Sequence, residues 1–378
     1  MDSLLIVSFS RLEQDARVRR QVSLFGPEYH TITAAHGPGL PEAAEHVELP
    51  LPPTAGVRRK ARFYAESALL RLRLYRMLYW TDPTVRAARK ALRNREYRRV
   101  IANDIEAVPL ALSLAGPDRV HADLHEFYPG LHDDNPRWVA LRRPYFDWLI
   151  RTYATRAASA TTVGDGVRTA YAPFNLSLGI VTNAPAHRSL TPTAVHAPIR
   201  LVHAGGAMPG RKIELMMQAA ARTRTDLELT LYLTSSSPSY LAQLRELAAE
   251  LGPRIHVEPA VPSTELLDIL NTYDVGIHLL PPTVTNQALA LPNKFFDFVQ
   301  ARLGVIVGPT PGMASLVEHH GLGAVTAGFA VEDIVSVLDA LSPERVEEWK
   351  AAADAASDEL SAERQMPVWA TAIAQLGG

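Results

Sequence analysis

The chain has 378 residues, with 47% apolar and 21% charged side chains, no cysteine and a formal net charge of −2. Such a length suits two domains of roughly 100–200 residues each, and the lack of cysteine excludes disulfides, thiolate nucleophiles and cysteine-ligated zinc. No run approaches the ~18 uninterrupted apolar residues of a membrane span, and residues 1–15 carry no basic leader, so a cytoplasmic protein is expected.

In chain order, the apolar run at residues 4–8 reads as a buried strand. A helix over 15–25 follows, with Val18, Val22 and Phe25 at helical spacing. Glu13, Asp15 and Arg17 follow the strand, where they either face a ligand or cap the helix and form salt bridges. Further strands are expected at 31–34, 47–51, 99–102, 119–124, 161–164 and 179–182. Residues 57–99 form the most uneven segment: fourteen Lys/Arg stand against Glu66, Asp82 and Glu96 alone. The segment reads as two helices separated at Asp82-Pro83. Phe63, Leu70, Leu74 and Leu78 would share one face of the first, with Tyr64, Tyr75, Tyr79 and Trp80 among the arginines. A basic helix with aromatic edges suits an anionic membrane surface or a partner carrying phosphate. The plainer alternative packs the stripe on the sheet and leaves the arginines solvated. No nucleic-acid recognition motif accompanies the charge.

The prolines at 185, 192 and 198 mark a linker, giving a first domain over 1–185 and a second over 199–350. Helices over 351–378 would pack back toward the first domain. In the second domain, strands at 201–204, 229–233, 255–257, 275–280, 305–307 and 324–326 alternate with helices from about 211, 239, 264, 294, 313 and 331. That rhythm makes βαβ units, so each domain is a doubly wound α/β layer structure with a parallel sheet. Ligands of such sheets bind outside the carboxyl ends of the strands, here in a cleft between two facing domains.

No GxGxxG follows the first strand, and neither a Walker A sequence nor GxSxG occurs. The strongest local signal is Leu291-Pro-Asn-Lys-Phe-Phe-Asp-Phe298 between a strand and a helix. Asn293 is suited to cap that helix and Pro292 to fix its start. Free N–H groups from Asn293 to Phe295 would then bind a diphosphate, Lys294 would add positive charge, and Asp297 would accept from ribose hydroxyls. An ordinary capped helix with a solvated Lys-Asp pair is the alternative. A second signal is Leu201-Val-His-Ala-Gly-Gly-Ala-Met-Pro-Gly-Arg-Lys212, in which Gly205 and Gly206 permit close backbone approach and Arg211 offers a bidentate fork at a helix start. His125 admits three readings: a sugar contact, a strand-end histidine satisfied by Glu126 or backbone, and a metal ligand with Asp123, joined by His132 and either Asp133 or Asp134. Alternation places Asp123 and His125 on one side of a strand.

In the order and spacing of these segments the chain resembles the GT-B glycosyltransferases of the retaining family 4 type, in particular the hexosyltransferase branch. Residues 6–18, Asp123-Leu-His-Glu126, Val163-Gly-Asp-Gly-Val167, the Gly205-to-Arg211 loop, Pro292-Asn-Lys-Phe-Phe-Asp297 and Pro311-Gly-Met-Ala-Ser-Leu-Val317 carry the likeness. The family's Glu-x7-Glu pair survives only as Asp297, since Leu289 stands eight residues earlier. Its Gly-Arg after the first strand of the second domain is here Gly205-Gly206.

What the resemblance implies is a GT-B enzyme that moves a hexose-type sugar from a UDP-, GDP- or dTDP-linked donor, with retention and without metal or other cofactor. His125, Arg211 and Lys294 would carry the chemistry. Donor contacts would come from Gly205, Gly206, Arg211, Lys294 and Asp297, together with the turn amides of Leu291, Pro292 and Asn293. Arg11, Asp15, Arg17 and Glu126 would line the side of a small-molecule or lipid-linked acceptor. The competing readings are a non-catalytic nucleotide-sugar-binding partner and a GT-B nucleotide-sugar epimerase.

Overall fold

The structure is a computed structural model that describes residues 1–51 and 57–377, with the side chains of residues 57–61 excepted. Arg58, Arg59 and Lys60 of the basic segment therefore lie outside the described side chains. The chain divides into two compact units. Unit 1 comprises Met1–Val181, Val284–Asn286 and Met366–Gly378, and unit 2 comprises Thr182–Thr283 and Gln287–Gln365.

Unit 1 contains a seven-stranded sheet of β1 (Ser3–Arg11), β2 (His30–His36), β3 (Glu45–Leu49), β4 (Arg99–Asn103), β5 (Val120–Leu124), β6 (Ser159–Thr162) and β7 (Gly179–Ile180). Their order is β3-β2-β1-β4-β5-β6-β7, and the pairing is parallel throughout, with Leu4 of β1 opposite Thr31 on one side and Arg99 on the other. Leu4, Leu5, Ile6 and Val7 are each at most 1% exposed, as a strand covered on both faces requires. Asp15 caps the helix Ala16–Phe25 by accepting from the amides of Arg17 and Val18. The terminal helix Ala362–Ala374 brings Trp369 and Ile373 into the core beside Leu4, Ile6 and Phe25.

The basic segment departs from its two-helix reading. It forms three helices, Val57–Arg71, Tyr75–Thr81 and Pro83–Leu92. The first break falls at Arg73, whose φ of 53° no α-helix accommodates. The expected apolar stripe is split by it. Leu70 and Leu78 are buried, whereas Phe63 is 52% and Leu74 46% exposed. The second break lies where Asp82 caps Pro83–Leu92 through the amides of Thr84 and Val85, with Pro83 at the first helical position.

Unit 2 contains a six-stranded parallel sheet of β8 (Ile199–Gly206), β9 (Leu227–Thr234), β10 (Ile255–Pro259), β11 (Val275–His278), β12 (Gly304–Val307) and β13 (Gly323–Val325), ordered β10-β9-β8-β11-β12-β13. One core cluster gathers Leu229, Leu231 and Ile277 with Ile334, and another gathers Val202, Val305 and Val307 with Phe295 and Phe298. In each sheet the strand order reverses once, between β1 and β4 and between β8 and β11. Such switch points open a crevice at the carboxyl ends of the strands. Among the described residues, no helix is long and apolar enough to cross a membrane.

Candidate functional site

In unit 2, β8 and β11 adjoin at the switch point and each carries a histidine near its end. His203 and His278 are 2% and 3% exposed, and their rings stack at 5.6 Å with planes 14° apart. The Ile277 carbonyl accepts from His203 Nδ1 at 2.9 Å. That bond fixes the neutral tautomer and leaves Nε2 a lone-pair acceptor. No partner reaches His203 Nε2 or either ring nitrogen of His278 among the described residues. Burial first, and then the Lys294 charge, pull His203 down to about 3 and His278 well below its ordinary value, so both rings stay neutral.

Gly205 and Gly206 are no turn: they are the last residues of β8, paired with Leu233 and Thr234 of β9. A Cβ on Gly205 would lie 2.8 Å from Lys294 Nζ, 3.3 Å from Arg211 Nη1 and 3.4 Å from His203 Nε2. Two cations and an orphaned imidazole nitrogen therefore converge on bare backbone. Lys294 is lowered to about 8 by burial and by the Arg211 charge, with Asp297 opposing the shift. Arg211 is lowered by burial alone. Two half-buried cations, each lowered by burial and Lys294 also by its neighbour, form a site that an anion relieves.

Two local expectations need correcting. Asn293 is not the cap of the helix Asn293–Gln300: Pro292 occupies that position, with no side-chain bond, and Asn293 is the first helical residue. The amide of Phe295 returns to the Pro292 carbonyl at 3.1 Å, so the orphan donors are those of Asn293 and Lys294. Arg211 does not open a helix either. It ends the short 3-10 turn Pro209–Arg211, Lys212 follows at φ 51°, and the helix begins at Glu214. Leu291 is buried and its carbonyl accepts from Asn183 Nδ2 at 3.2 Å.

In unit 1 the expected acceptor-side residues separate. Arg17 is buried rather than facing a ligand. Its Nε and Nη2 donate to the two Asp123 oxygens at 2.8 and 2.7 Å, its Nη1 donates to the Val181 carbonyl, and the Trp369 ring lies 4.7 Å from its guanidinium carbon. Asp15 is the helix cap already described. Arg11 ends β1 exposed. Glu126 accepts from Asn286 Nδ2 at 2.7 Å.

His125 sits in a polar network. Its Nε2 lies 3.1 Å from Asn103 Oδ1 and 3.2 Å from Asp123 Oδ2, and its backbone N–H donates to Asp104 at 2.9 Å. Burial alone would lower its proton affinity, but the Asp104 and Asp123 carboxylates outweigh it and raise the value. Neither Glu126 nor a backbone group accounts for its ring, and no cluster of three metal-ligating side chains occurs among the described residues. Sequence reasoning passed over His203, His278 and the buried Asn103. The available signal was polar residues near the carboxyl ends of apolar strands.

No protein-family model matches the chain, and no curated protein matches it. Solved structures do. The complex of Anabaena HepE with UDP-glucose is similar over the whole of both chains, at 12% identity and a TM-score of 0.72. WaaG, a glycosyltransferase involved in lipopolysaccharide biosynthesis, is 13% identical with a TM-score of 0.63, over 99% of this chain and 100% of its own. The sucrose-phosphate synthase of Thermosynechococcus elongatus is 10% identical with a TM-score of 0.68, over the same shares. At these identities the likeness establishes the architecture: the chain has the GT-B fold, two α/β units each built on a parallel sheet.

Proposed function

We propose that the chain is a glycosyltransferase that moves a hexose-type sugar from a nucleotide-diphosphate donor to an acceptor, with retention of configuration and without a metal ion. The observation that carries this reading is the convergence of Lys294, Arg211 and a neutral His203 on Gly205 at the switch point of the second sheet. The cations match diphosphate oxygens, and the lone pair on His203 matches a hydroxyl donor. A nucleotide sugar has both, and one structural neighbour is seen with UDP-glucose. As the anomeric C–O bond breaks, charge collects on the departing diphosphate, where the two cations and the amides of Asn293 and Lys294 stabilise it. The acceptor oxygen bonds to the anomeric carbon, and its proton passes to the leaving phosphate. Asp297, in the first turn of the same helix, is assigned to the ribose.

Thermal-shift titration with UDP, GDP and dTDP tests the site. One nucleotide at a hundred times its Kd is expected to add about 2.7 kcal/mol. With its sugar donor, turnover is expected to persist in excess EDTA. Loss with chelator and recovery with Mg²⁺ would remove the metal-free part. Binding without hydrolysis of the donor or transfer to any acceptor would identify a non-catalytic partner instead.

We also assign the basic segment to peripheral contact with an anionic membrane, which would bring a lipid-linked acceptor to a cytoplasmic enzyme. On unit 1 a depression of about 1310 Å³ is lined by Arg73, Arg76, Arg89 and Arg156 together with Trp80 and Trp148, and by no carboxylate. Leu72, Leu74 and Met77 beside it are 67%, 46% and 54% exposed. Arginines ringing exposed aliphatic side chains suit lipid headgroups above acyl chains. Sedimentation with phosphatidylglycerol vesicles should retain the protein at low salt, and Arg73→Glu with Arg76→Glu should release it. Equal retention by neutral vesicles would show that charge is not the cause.

A further inference from the structure

Five lysines occur in the chain, and the surroundings of one suit its amine to covalent chemistry. Lys90 is exposed, Lys212 lies 3.9 Å from Glu214, and Lys350 is held by Asp274, Thr193 and the Tyr273 carbonyl. Among the lysines with described side chains, Lys294 alone is partly buried with no ion pair or side-chain hydrogen bond.

The neighbours of Lys294 disfavour a cation. Its Nζ and Arg211 Nη1 both lie within 3.3 Å of one point, the place a Cβ on Gly205 would take. His203 Nε2 lies 3.4 Å from that point, on a ring 2% exposed, and has no partner among the described residues. The other titratable groups that act there are His278, which stays neutral, and Asp297, whose charge opposes the shift. At pH 8 about half of the Lys294 side chain is therefore free amine, and a desolvated free amine is a nucleophile.

Two demands are left open around Gly205: a negative charge beside Arg211, and a donor for the His203 lone pair. An aldehyde would turn the amine into an imine and an acyl donor would turn it into an amide, and neither product is an anion. Carbon dioxide answers both demands. The amine lone pair attacks the carbon, one C=O electron pair moves onto oxygen, and one N–H proton leaves to water. The product is a carbamate, R–NH–COO⁻, with one H⁺ released. Repulsion between two cations becomes attraction between Arg211 and an anion, and the remaining N–H supplies the donor.

We propose that Lys294 is a carbon dioxide-binding site, its amine reversibly carbamylated, with the carbamate paired to Arg211 and its N–H donating to His203 Nε2. The modification does not rest on the glycosyl-transfer reading. Its consequence does: the carbamate occupies the place assigned to the donor diphosphate, so carbon dioxide and donor exclude each other.

The test is NMR of the protein in carbon-labelled bicarbonate at pH 8. Trapping with triethyloxonium ion and peptide mass spectrometry then locate the adduct. UDP affinity is measured by calorimetry in bicarbonate and in chloride of equal ionic strength. A carbamate resonance and an ethyl carbamate on Lys294 are expected in the wild-type protein, where no variant needs to fold. Lys294→Arg should lose the adduct, and Arg211→Ala should carry about tenfold less of it, as the loss of a charged hydrogen bond implies. The α-amino group of Met1, 90% exposed, is the labelling control in every sample. UDP should bind the wild type more weakly in bicarbonate than in chloride. Labelled Met1 with unlabelled Lys294 would overturn the proposal while UDP binding, and with it the transfer reading, stands. Equal labelling of Arg211→Ala would overturn the pairing with Arg211. An adduct on Lys294 in a protein that binds no nucleotide would keep the carbamate and remove the donor site. Equal weakening of UDP in Lys294→Arg would assign the competition to bicarbonate ion and overturn the exclusion by carbamate.

Discussion

Replacing Lys294 with alanine is expected to weaken nucleotide-diphosphate binding by roughly tenfold to 150-fold, from the loss of a charged hydrogen bond worth about 1.5–3 kcal/mol. Arg211→Ala should fall in the same range. The two losses should not add, because Arg211 lowers the proton affinity of Lys294 and its removal relieves that neighbour. The pH dependence has a definite sign. Lys294 titrates at about 8, so affinity should be level below that value and decline as pH rises through it. A bound diphosphate, by favouring the charged form, moves the decline upward. The same shift predicts the opposite effect on stability. Because the folded pKa lies below that of the unfolded chain, the unfolded state holds more protons between the two, and stability rises with pH across that window. Lys294→Met should therefore melt higher than the wild type at neutral pH while binding nucleotide less well. Calorimetric affinities across pH 6–9 and melting curves on both variants decide the matter. A variant that binds UDP as tightly as the wild type would move the diphosphate elsewhere.

Asp123→Ala is expected to cost about 3–5 kcal/mol, because it strands a buried guanidinium without its counter-charge. That is a large part of the ~5–15 kcal/mol by which domains of this kind are stable. Asp123 is fully buried. Besides the fork from Arg17, it accepts from Gln21 Nε2 and from Thr161 Oγ1, both at 2.7 Å. Burial would raise its proton affinity, but Arg17 and His125 hold it well below the usual carboxylate range. A depressed carboxylate contributes stability that is complete above its unfolded pKa of about 3.9 and is lost as pH falls through the folded value. The difference between variant and wild type should accordingly be full at pH 7 and shrink below pH 4. Arg17→Met with Asp123→Leu, which removes both charges, should recover much of the loss. Urea unfolding of unit 1 at pH 7 and pH 3.5 supplies the numbers. An Asp123→Ala protein within 1 kcal/mol of the wild type would show that water enters the site.

All thirteen strands among the described residues were legible within a few residues, since runs such as Leu4-Leu-Ile-Val7 and Val305-Ile-Val307 are buried on both faces and leave no polar alternation to blur their limits. Helix starts were less so. The break at Asp82-Pro83 was legible, but Arg73 and Lys212 adopt positive φ with side chains that seldom mark such a turn. One helix was therefore drawn across the first break, and another was begun too early at Arg211.

By itself the sequence determined which segments become strands, their grouping into two parallel sheets, and the positions of Gly205, Arg211 and Lys294, because periodicity and local turn chemistry operate over a few residues. Only the tertiary structure decided what those segments bring together. Arg17 meets Asp123 across 106 positions of chain, and His203 stacks on His278 because β8 pairs with β11. Each of these depends on strand order and on competition among distant charges for burial and for partners, and neither leaves a trace in the spacing of residues along the chain.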